Sequence, residues 1–570
     1  MDAQKSIAQF FMKNKTFLFF LFALLLVNMT GLFDEIFTGD SALYALISKT
    51  MVTSHNFWDM YVNGQDWLDK PHLPFWICAA SMKLFGINSF AYKLPSVLIF
   101  FVALLYTYLL AKKFYNKEIA MLSVLLLASS VHIVVSNNDT RAEAMLVAFV
   151  IGSVYHLFQL SEKFTIKHLL LAALLSAAAI MTKGIFVLII FYSAVFGHLL
   201  FTRSFKKILS FRWVIVLVLT LIFITPELYA LYMQFDLHPE KVVFGHTHVS
   251  GIRFFLWDSQ FGRFFNTGPI KGNGDISFFF HTLLWAFAPW AIVAYVGLGK
   301  SFWLIFKKQP LREYVTLLGF SVMFLVFTVS KFQLPHYTNI LMPFLAIIVA
   351  AFIINNLHNK HFATFFTISQ ITYIALYFIV ILLLTIFFRP DAWWLTILLF
   401  LITAFIMVYF FISERNKIFQ LVYQSLNVTM FFMLFMNFVF YPSLLTYQSG
   451  AEAAFFINKN IENYPVYTNQ KESLLEFYSQ SPVTSLHDSV PVINKLPTTS
   501  PMLCYTDTAF IIKLQQHGYT CTVLDSWNHF HITQLNKTFL NIATRPKAVD
   551  ERYVVFISND SLPPDQSMNE

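Results

Sequence analysis

The chain has 570 residues, 57% of them hydrophobic and 12% charged, with a mean hydropathy of +0.61. A soluble domain carries about a quarter charged residues, so half that fraction excludes a soluble protein of this size and leaves an integral membrane protein. The net charge of +8 has its home in the cytoplasmic loops of a polytopic protein and not in nucleic acid binding, and three cysteines exclude a disulfide scaffold and a thiolate metal cluster.

Apolar stretches near 20 residues, enough to cross about 30 Å of hydrocarbon, are centred at 17 to 33, 92 to 111, 118 to 135, 143 to 160, 167 to 181, 184 to 201, 213 to 232, 278 to 299, 314 to 329, 335 to 354, 362 to 387, 391 to 412 and 417 to 440. That predicts thirteen spans. The first lacks a small-residue cleavage site and reads as a retained span. With the N-terminus inside, 19 basic residues fall in alternate short loops, from Lys5, Lys13 and Lys15 to Arg415 and Lys417, and the cytoplasmic side is the one enriched in Lys and Arg. The outer side then receives two long loops, 34 to 91 and 233 to 277, and everything after about residue 441.

From residue 449 short alternating runs replace the continuous apolar ones. Helix-like stretches (Ala451 to Asn458, Ala509 to His517) alternate with strand-like ones (Tyr464 to Thr468, Tyr519 to Leu524, Arg552 to Ser558), which predicts a small extracytoplasmic α/β domain over 449–570 beside a membrane part over 1–448. Cys504 and Cys521 both fall in it, either as a disulfide or as two buried free thiols.

Ionisable groups at a membrane boundary are costly and by default mark sites. The first outer loop holds Asp34, Glu35, Asp40, Asp59, Asp66, Asp69 and Lys70, between amphipathic helices expected over Ser41 to Ser54 and Pro74 to Phe85, with Trp58, Trp67 and Trp76 as interfacial anchors. Further clusters are Asn137 to Glu143; Met181 to Gly184; Ser330 to Tyr337; and Arg253 with Trp257, Asp258, Gln260 and Arg263. For any single carboxylate the bland reading is a solvated loop charge, and for Glu143 a neutralising pair with Arg141 or a helix N-terminal carboxylate favoured by the macrodipole. All five clusters nevertheless fall on one face of the predicted topology. Acids converging there with Lys70, Arg141, Arg263, Lys331 and His336 suggest an anionic ligand and acid/base chemistry.

The stretch Gly39-Asp40-Ser41-Ala42-Leu43-Tyr44, then Trp67-Leu68-Asp69-Lys70-Pro71-His72, Arg141-Ala142-Glu143, Thr182-Lys183-Gly184, Arg263-Phe264 and Ser330-Lys331 through Pro335-His336-Tyr337 resembles the signature of the ArnT-like lipid-linked glycosyltransferases. This family of the GT-C class includes the aminoarabinose transferase of lipid A and is related to protein O-mannosyltransferases. The resemblance implies a GT-C fold with thirteen transmembrane helices and outer amphipathic helices. It also implies transfer of a sugar, aminoarabinose-like or a hexose, from a polyprenyl (undecaprenyl) phosphate donor to a glycolipid, protein or polysaccharide acceptor on the outer, periplasmic face of the inner membrane. Asp40 and Glu143 match the family's acidic positions and are the catalytic candidates this resemblance implies; Lys70, Arg263 and Tyr337 match residues that resemble its lipid-phosphate contacts. The chain departs from the family at Ser41 (an acid there), Leu43 (an arginine), His72 (the second proline of Lys-Pro-Pro) and Ser259-Gln260 (Glu-His). The last departure leaves Asp69 as the remaining candidate for a divalent metal, a poor ligand set by itself.

A sugar leaving on a phosphate ester needs positive charge on the departing phosphate, not a proton, and Lys70 and Arg263 supply it. An attacking hydroxyl needs a carboxylate base, for which Asp40 is the choice. A transporter or flippase would place charge near the midplane within inverted repeats, and a receptor or scaffold leaves the acidic first loop without a role. Reporter fusions at residues 205 and 460 should report opposite sides of the membrane; the same side for both would break the one-face argument.

Overall fold

The computed structural model describes residues 14–461, 464–486 and 501–558; Lys5 and Lys13 lie outside them. Within a bilayer every backbone polar group must be satisfied inside its own segment, and the apolar runs accordingly form helices. The first eight elements used below are α1 (Asn14–Met29), α2 (Asp40–Ser54), α3 (Leu73–Phe85), α4 (Ser89–Phe114), α5 (Lys117–Ala128), α6 (Val131–Asn138), α7 (Ala142–Glu162) and α8 (Ile166–Lys183).

Among the described residues eight helices are long and apolar enough to cross a membrane, and ten if the two bent pairs each count as one span. The bent pairs are α5 with α6, at 54°, and Phe205–Phe223 with Thr225–Asp236, at 41°. The other three expected spans fall on shorter helices, Ile185–Phe201, Ala291–Phe306 and Val315–Val329. At 1.5 Å per residue these reach less than the hydrocarbon thickness. The stretch expected at 278 to 299 is two helices, Phe278–Ala286 and Ala291–Phe306, interrupted around Pro289.

The two amphipathic helices expected in the first outer loop are present as α2 and α3. They do not simply lie on the interface. Ala42, Tyr44, Ala45, Ile47 and Met51 of α2 pack with Phe75 and Cys78 of α3 and with Ala451, Leu474 and Phe477 from the C-terminal part. Of the three tryptophans expected as anchors, Trp58 is exposed. Trp67 stands edge-on to Tyr44 and Phe75, and the Trp76 Nε1 donates to the Phe57 carbonyl.

Between them β1 (Tyr61–Val62) and β2 (Gln65–Asp66) pair antiparallel. Five further strands, β3 (Val466–Thr468), β4 (Val483–Ser485), β5 (Met502–Thr506), β6 (Thr520–His529) and β7 (Asp550–Ser558), form one sheet in the order β4-β3-β5-β7-β6. β3 runs parallel to β4 and β5; β7 runs antiparallel to β5 and β6. Cys504 and Cys521 are free thiols. They sit on β5 and β6 with β7 between them, about two strand spacings or roughly 9.5 Å apart, beyond the reach of a disulfide.

Candidate functional site

Helix ends that lie far apart in the chain meet here, as the ion pairs between them show. Asp40 opens α2, Lys70 lies in the turn before α3, Glu143 stands in the first turn of α7, and Lys183 is the last residue of α8. Arg263 comes from α10 (Ser259–Phe265), after α9 (Thr225–Leu231), and His336 and Tyr337 from the 3-10 turn Pro335–Leu341. The basic loops at Lys112 and Lys113, and at Lys163 and Lys167, lie at the opposite helix ends.

The cluster is a chain of alternating charges. Asp69 is held by Lys70 and by the Arg263 guanidinium, in close ion pairs with both. Burial by itself would push the Asp69 carboxyl up, but the charges of Lys70 and Arg263 outweigh it and hold the group below the usual carboxylate range. Burial, with Arg263 and Lys183 nearby, pushes Lys70 down to about 8 even though Asp69 opposes the shift. Arg263 also lies 5.6 Å from the Phe332 ring centroid, and its buried Nε has no hydrogen-bond partner in the protein. Lys183 pairs with buried Glu143, and its Nζ is 4.9 Å from the centre of the Tyr337 ring. The His336 Nε2 is 3.5 Å from the same Glu143 oxygen.

Of the two bland readings of Glu143, the neutralising pair with Arg141 does not form, whereas Glu143 does stand in the first turn of its helix. Arg141 precedes α7 in extended backbone, and its guanidinium turns to Asp40, at 3.0 Å, and to Asp139, at 3.0 Å. Residues two apart around a helix start point in different directions, which leaves Glu143 to Lys183. The buried Tyr44 hydroxyl feels Asp40, Asp69, Glu143 and Arg141 together; burial and these acids raise its pKa, and the shared influence marks the groups as one site.

A narrow cleft opens here, lined by Asp69, Lys70, Lys183, Glu227, Gln260 and Arg263 among others. Gly184, at φ 110°, lets the chain turn out of α8 directly against Gln260; a Cβ there would sit 2.2 Å from the Gln260 Nε2. Lys331 does not join: its side chain is exposed, and its backbone N–H donates to the Phe264 carbonyl at 3.3 Å. Arg253, also exposed, pairs with Asp258 at 3.5 Å. Asp69 does not fit a metal, because its carboxylate is already engaged by two cations, and no group of three His, Cys, Asp or Glu among the described residues could hold one.

The sequence reading passed over Glu227. It sits just after the bend in the span that follows Phe205, preceded by Pro226, and is fully buried. Its Oε2 accepts from the His72 backbone N–H at 2.9 Å, and its Oε1 is 3.0 Å from the His72 Nδ1. The other ring nitrogen is 3.0 Å from the Trp58 carbonyl, which can only accept, so Nε2 carries a proton and a second proton bridges the pair. A carboxylate inside an apolar run is the signal that could have found it.

The sequence of residues 69–229 matches the family model described as dolichyl-phosphate-mannose-protein mannosyltransferase, a stretch that contains Asp69, Lys70, Arg141, Glu143, Lys183 and Glu227. The chain is 26% identical over 318 residues to undecaprenyl phosphate-alpha-4-amino-4-deoxy-L-arabinose arabinosyl transferase 2 of Proteus mirabilis, covering 55% of this chain and 54% of that one. It is likewise 26% identical over 347 residues to the transferase of that name from Shewanella sediminis, covering 60% and 59%. An uncharacterized Aquifex aeolicus protein matches at 26% over 60% of this chain and 64% of its own length. The chain thus spans less than two thirds of each of these relatives. Crystalline ArnT from Cupriavidus metallidurans bound to undecaprenyl phosphate superposes with a TM-score of 0.72 at 15% identity, covering 97% of this chain and all of that one. The fold is that of the ArnT crystal structure, and the sequence is similar to this family model and to these transferases.

Because Lys70 titrates near 8, its ammonium is present at neutral pH and lost as pH rises through that value. Binding of an inorganic phosphate probe at the cleft should therefore weaken between about pH 7 and 9, and Lys70→Arg, which stays charged, should flatten the profile. An unchanged slope in Lys70→Arg would remove Lys70 from the anion site.

Proposed function

We propose that this protein is a membrane glycosyltransferase that moves a sugar from a polyprenyl phosphate to an acceptor on the extracytoplasmic face. The observation that carries the reading is the cleft in which Lys70, Arg263 and Lys183 converge against two paired carboxylates, Asp69 and Glu143. That surplus of positive charge suits an incoming phosphate. The names of the relatives, which specify an undecaprenyl phosphate-linked aminoarabinose, support the donor class. An apolar depression lined by Ile185, Leu188, Phe191, Val216, Ile224 and Leu256 among others starts two residues beyond Lys183 and offers the lipid chain a path away from the cleft.

In this mechanism Asp40, 46% exposed at its side chain, takes the proton of an acceptor hydroxyl as its oxygen bonds to the anomeric carbon. The bond from that carbon to the phosphate oxygen breaks, its electron pair stays on the phosphate, and Lys70 and Arg263 hold the departing anion. Direct displacement inverts the anomeric centre. Arg141, bridging Asp40 and Asp139, holds the Asp40 carboxylate in place, and Glu143 holds Lys183. No step is assigned to Lys331 or to a metal. Residues 1–448 carry the transfer site and 449–570 form an extracytoplasmic C-terminal domain in the periplasm.

Asp40→Asn keeps the size of the side chain but accepts no proton at neutral pH, so transfer should be abolished while binding of the donor lipid persists. Full activity in Asp40→Asn would sink the assignment of the base. Lys70→Ala and Arg263→Ala should each weaken binding of free undecaprenyl phosphate by about 1 to 3 kcal/mol; little change would mean that these residues only grip lipid headgroups.

A further inference from the structure

Residues 33 to 39, which deliver the chain from the first span to Asp40, form neither helix nor strand. Their peptide groups are held from outside the segment. Buried Lys93 donates to the carbonyls of Gly31, Asp34 and Glu35 at 2.9 to 3.0 Å. Gln448, 2% exposed, grips the next stretch from both sides: its Nε2 donates to the Ile36 carbonyl at 3.0 Å and its Oε1 accepts from the Thr38 N–H at 2.6 Å. The Ile36 N–H donates to the Tyr478 hydroxyl at 2.8 Å, and that hydroxyl is also 2.8 Å from the Ser89 Oγ. Gly39, at φ 91°, then turns the chain into α2.

The helix that follows is gripped by the same part of the protein. The Lys49 Nζ donates to the carbonyls of Glu476, Phe477 and Ser479 at 2.7, 3.0 and 2.7 Å, closing the C-terminal end of α11 (Ser473–Tyr478). Leu474 and Phe477 of α11 share a core with Ala42, Ala45 and Ile47 of α2. The Asp40 carboxylate itself is half-exposed and paired with Arg141, so its position follows the backbone it stands on.

We propose that the C-terminal region and the residue that leads into it position Asp40, with Gln448, the last residue before that region, and Tyr478 within it as positioning residues that fix the 33 to 39 segment and thereby the reach of the carboxylate to the acceptor. The proposal rests on the reading of Asp40 as the base. A catalytic group displaced by about 1 Å can lose orders of magnitude in rate while the binding of the other substrate is untouched. Gln448 and Tyr478 touch no group of the phosphate cleft, so their loss separates turnover from donor binding.

The test uses the full-length protein in lipid nanodiscs, with Tyr478→Phe, which removes one hydroxyl and keeps the ring packing, and Gln448→Met, which keeps the length of the side chain. Each variant is assayed for kcat and donor KM, for equilibrium binding of free undecaprenyl phosphate, and beside Asp40→Asn. The expected result is a fall in kcat of about tenfold or more with donor KM and lipid binding within about twofold of the parent. Unchanged kcat in folded Tyr478→Phe overturns the positioning role, as does a fall in lipid binding that parallels the fall in kcat. If Gln448→Met does not fold, Tyr478→Phe alone decides. An active Asp40→Asn overturns the base assignment and the proposal with it, whereas an inactive Asp40→Asn beside a fully active Tyr478→Phe overturns the positioning role alone.

Discussion

Three cations, Lys70, Arg263 and Lys183, are brought to one cleft at the end of a helical bundle, and like charges taken out of water repel one another while losing several kcal/mol of hydration each. Asp69 between Lys70 and Arg263, and Glu143 against Lys183, offset that cost. Each pair also joins elements far apart in the chain. Glu143 with Lys183 fixes the start of α7 to the end of α8, and Asp69 with Arg263 fixes the 34–91 loop to the 233–277 loop. The cluster is thus both the adhesive of this end of the bundle and a local surplus of positive charge.

His72 and Glu227 add a second layer beneath it. Lys70, Pro71 and His72 are consecutive, and the His72 backbone and ring both bind Glu227 at the bend of a distant helix. A proline at position 72 would have no N–H for the Glu227 Oε2 and no ring for its Oε1. The buried carboxylate and the histidine therefore make sense only as a pair, and the pair ties the Lys70 turn to the helix that lines the cleft.

The break between α5 and α6 shows how the membrane part tolerates interrupted helices. Backbone groups freed at a bend must find partners in a bilayer. The Asn28 Nδ2 donates to the Ala128 carbonyl at 3.0 Å, the Trp290 Nε1 to the Ser129 Oγ at 2.9 Å, and the Val131 N–H to the Ala288 carbonyl at 3.3 Å. Asn137 binds Asn28, and Asn138 binds Asn437, each at 2.8 to 2.9 Å. These amides anchor α6, and with it the Asp139–Arg141 corner that meets Asp40.

What was legible in the sequence is what depends on local pattern. Hydropathy and loop charge marked the membrane class and most helix positions. Amphipathic spacing marked α2 and α3, strand-like runs marked β3, β6 and β7, and helix-like runs marked the helices Ser449–Asn460 and Thr508–Gln516. The central strand β5 escaped, because its five residues are all buried and show no alternation. Clustered acids and bases brought Asp40, Lys70, Asp69, Arg141, Glu143, Arg263, His336 and Tyr337 into view one by one. Who pairs with whom was decided by tertiary structure alone: Arg141 with Asp40 and Asp139, Glu143 with Lys183, Asp69 saturated by cations, Lys331 left outside, and Glu227 and Gln448 recruited from 155 and 410 residues away from His72 and Thr38. The physical reason is that burial and periodicity are recorded within a few residues of each position, whereas an ion pair or a buried amide depends on which helix ends meet in space, and no local spacing records that.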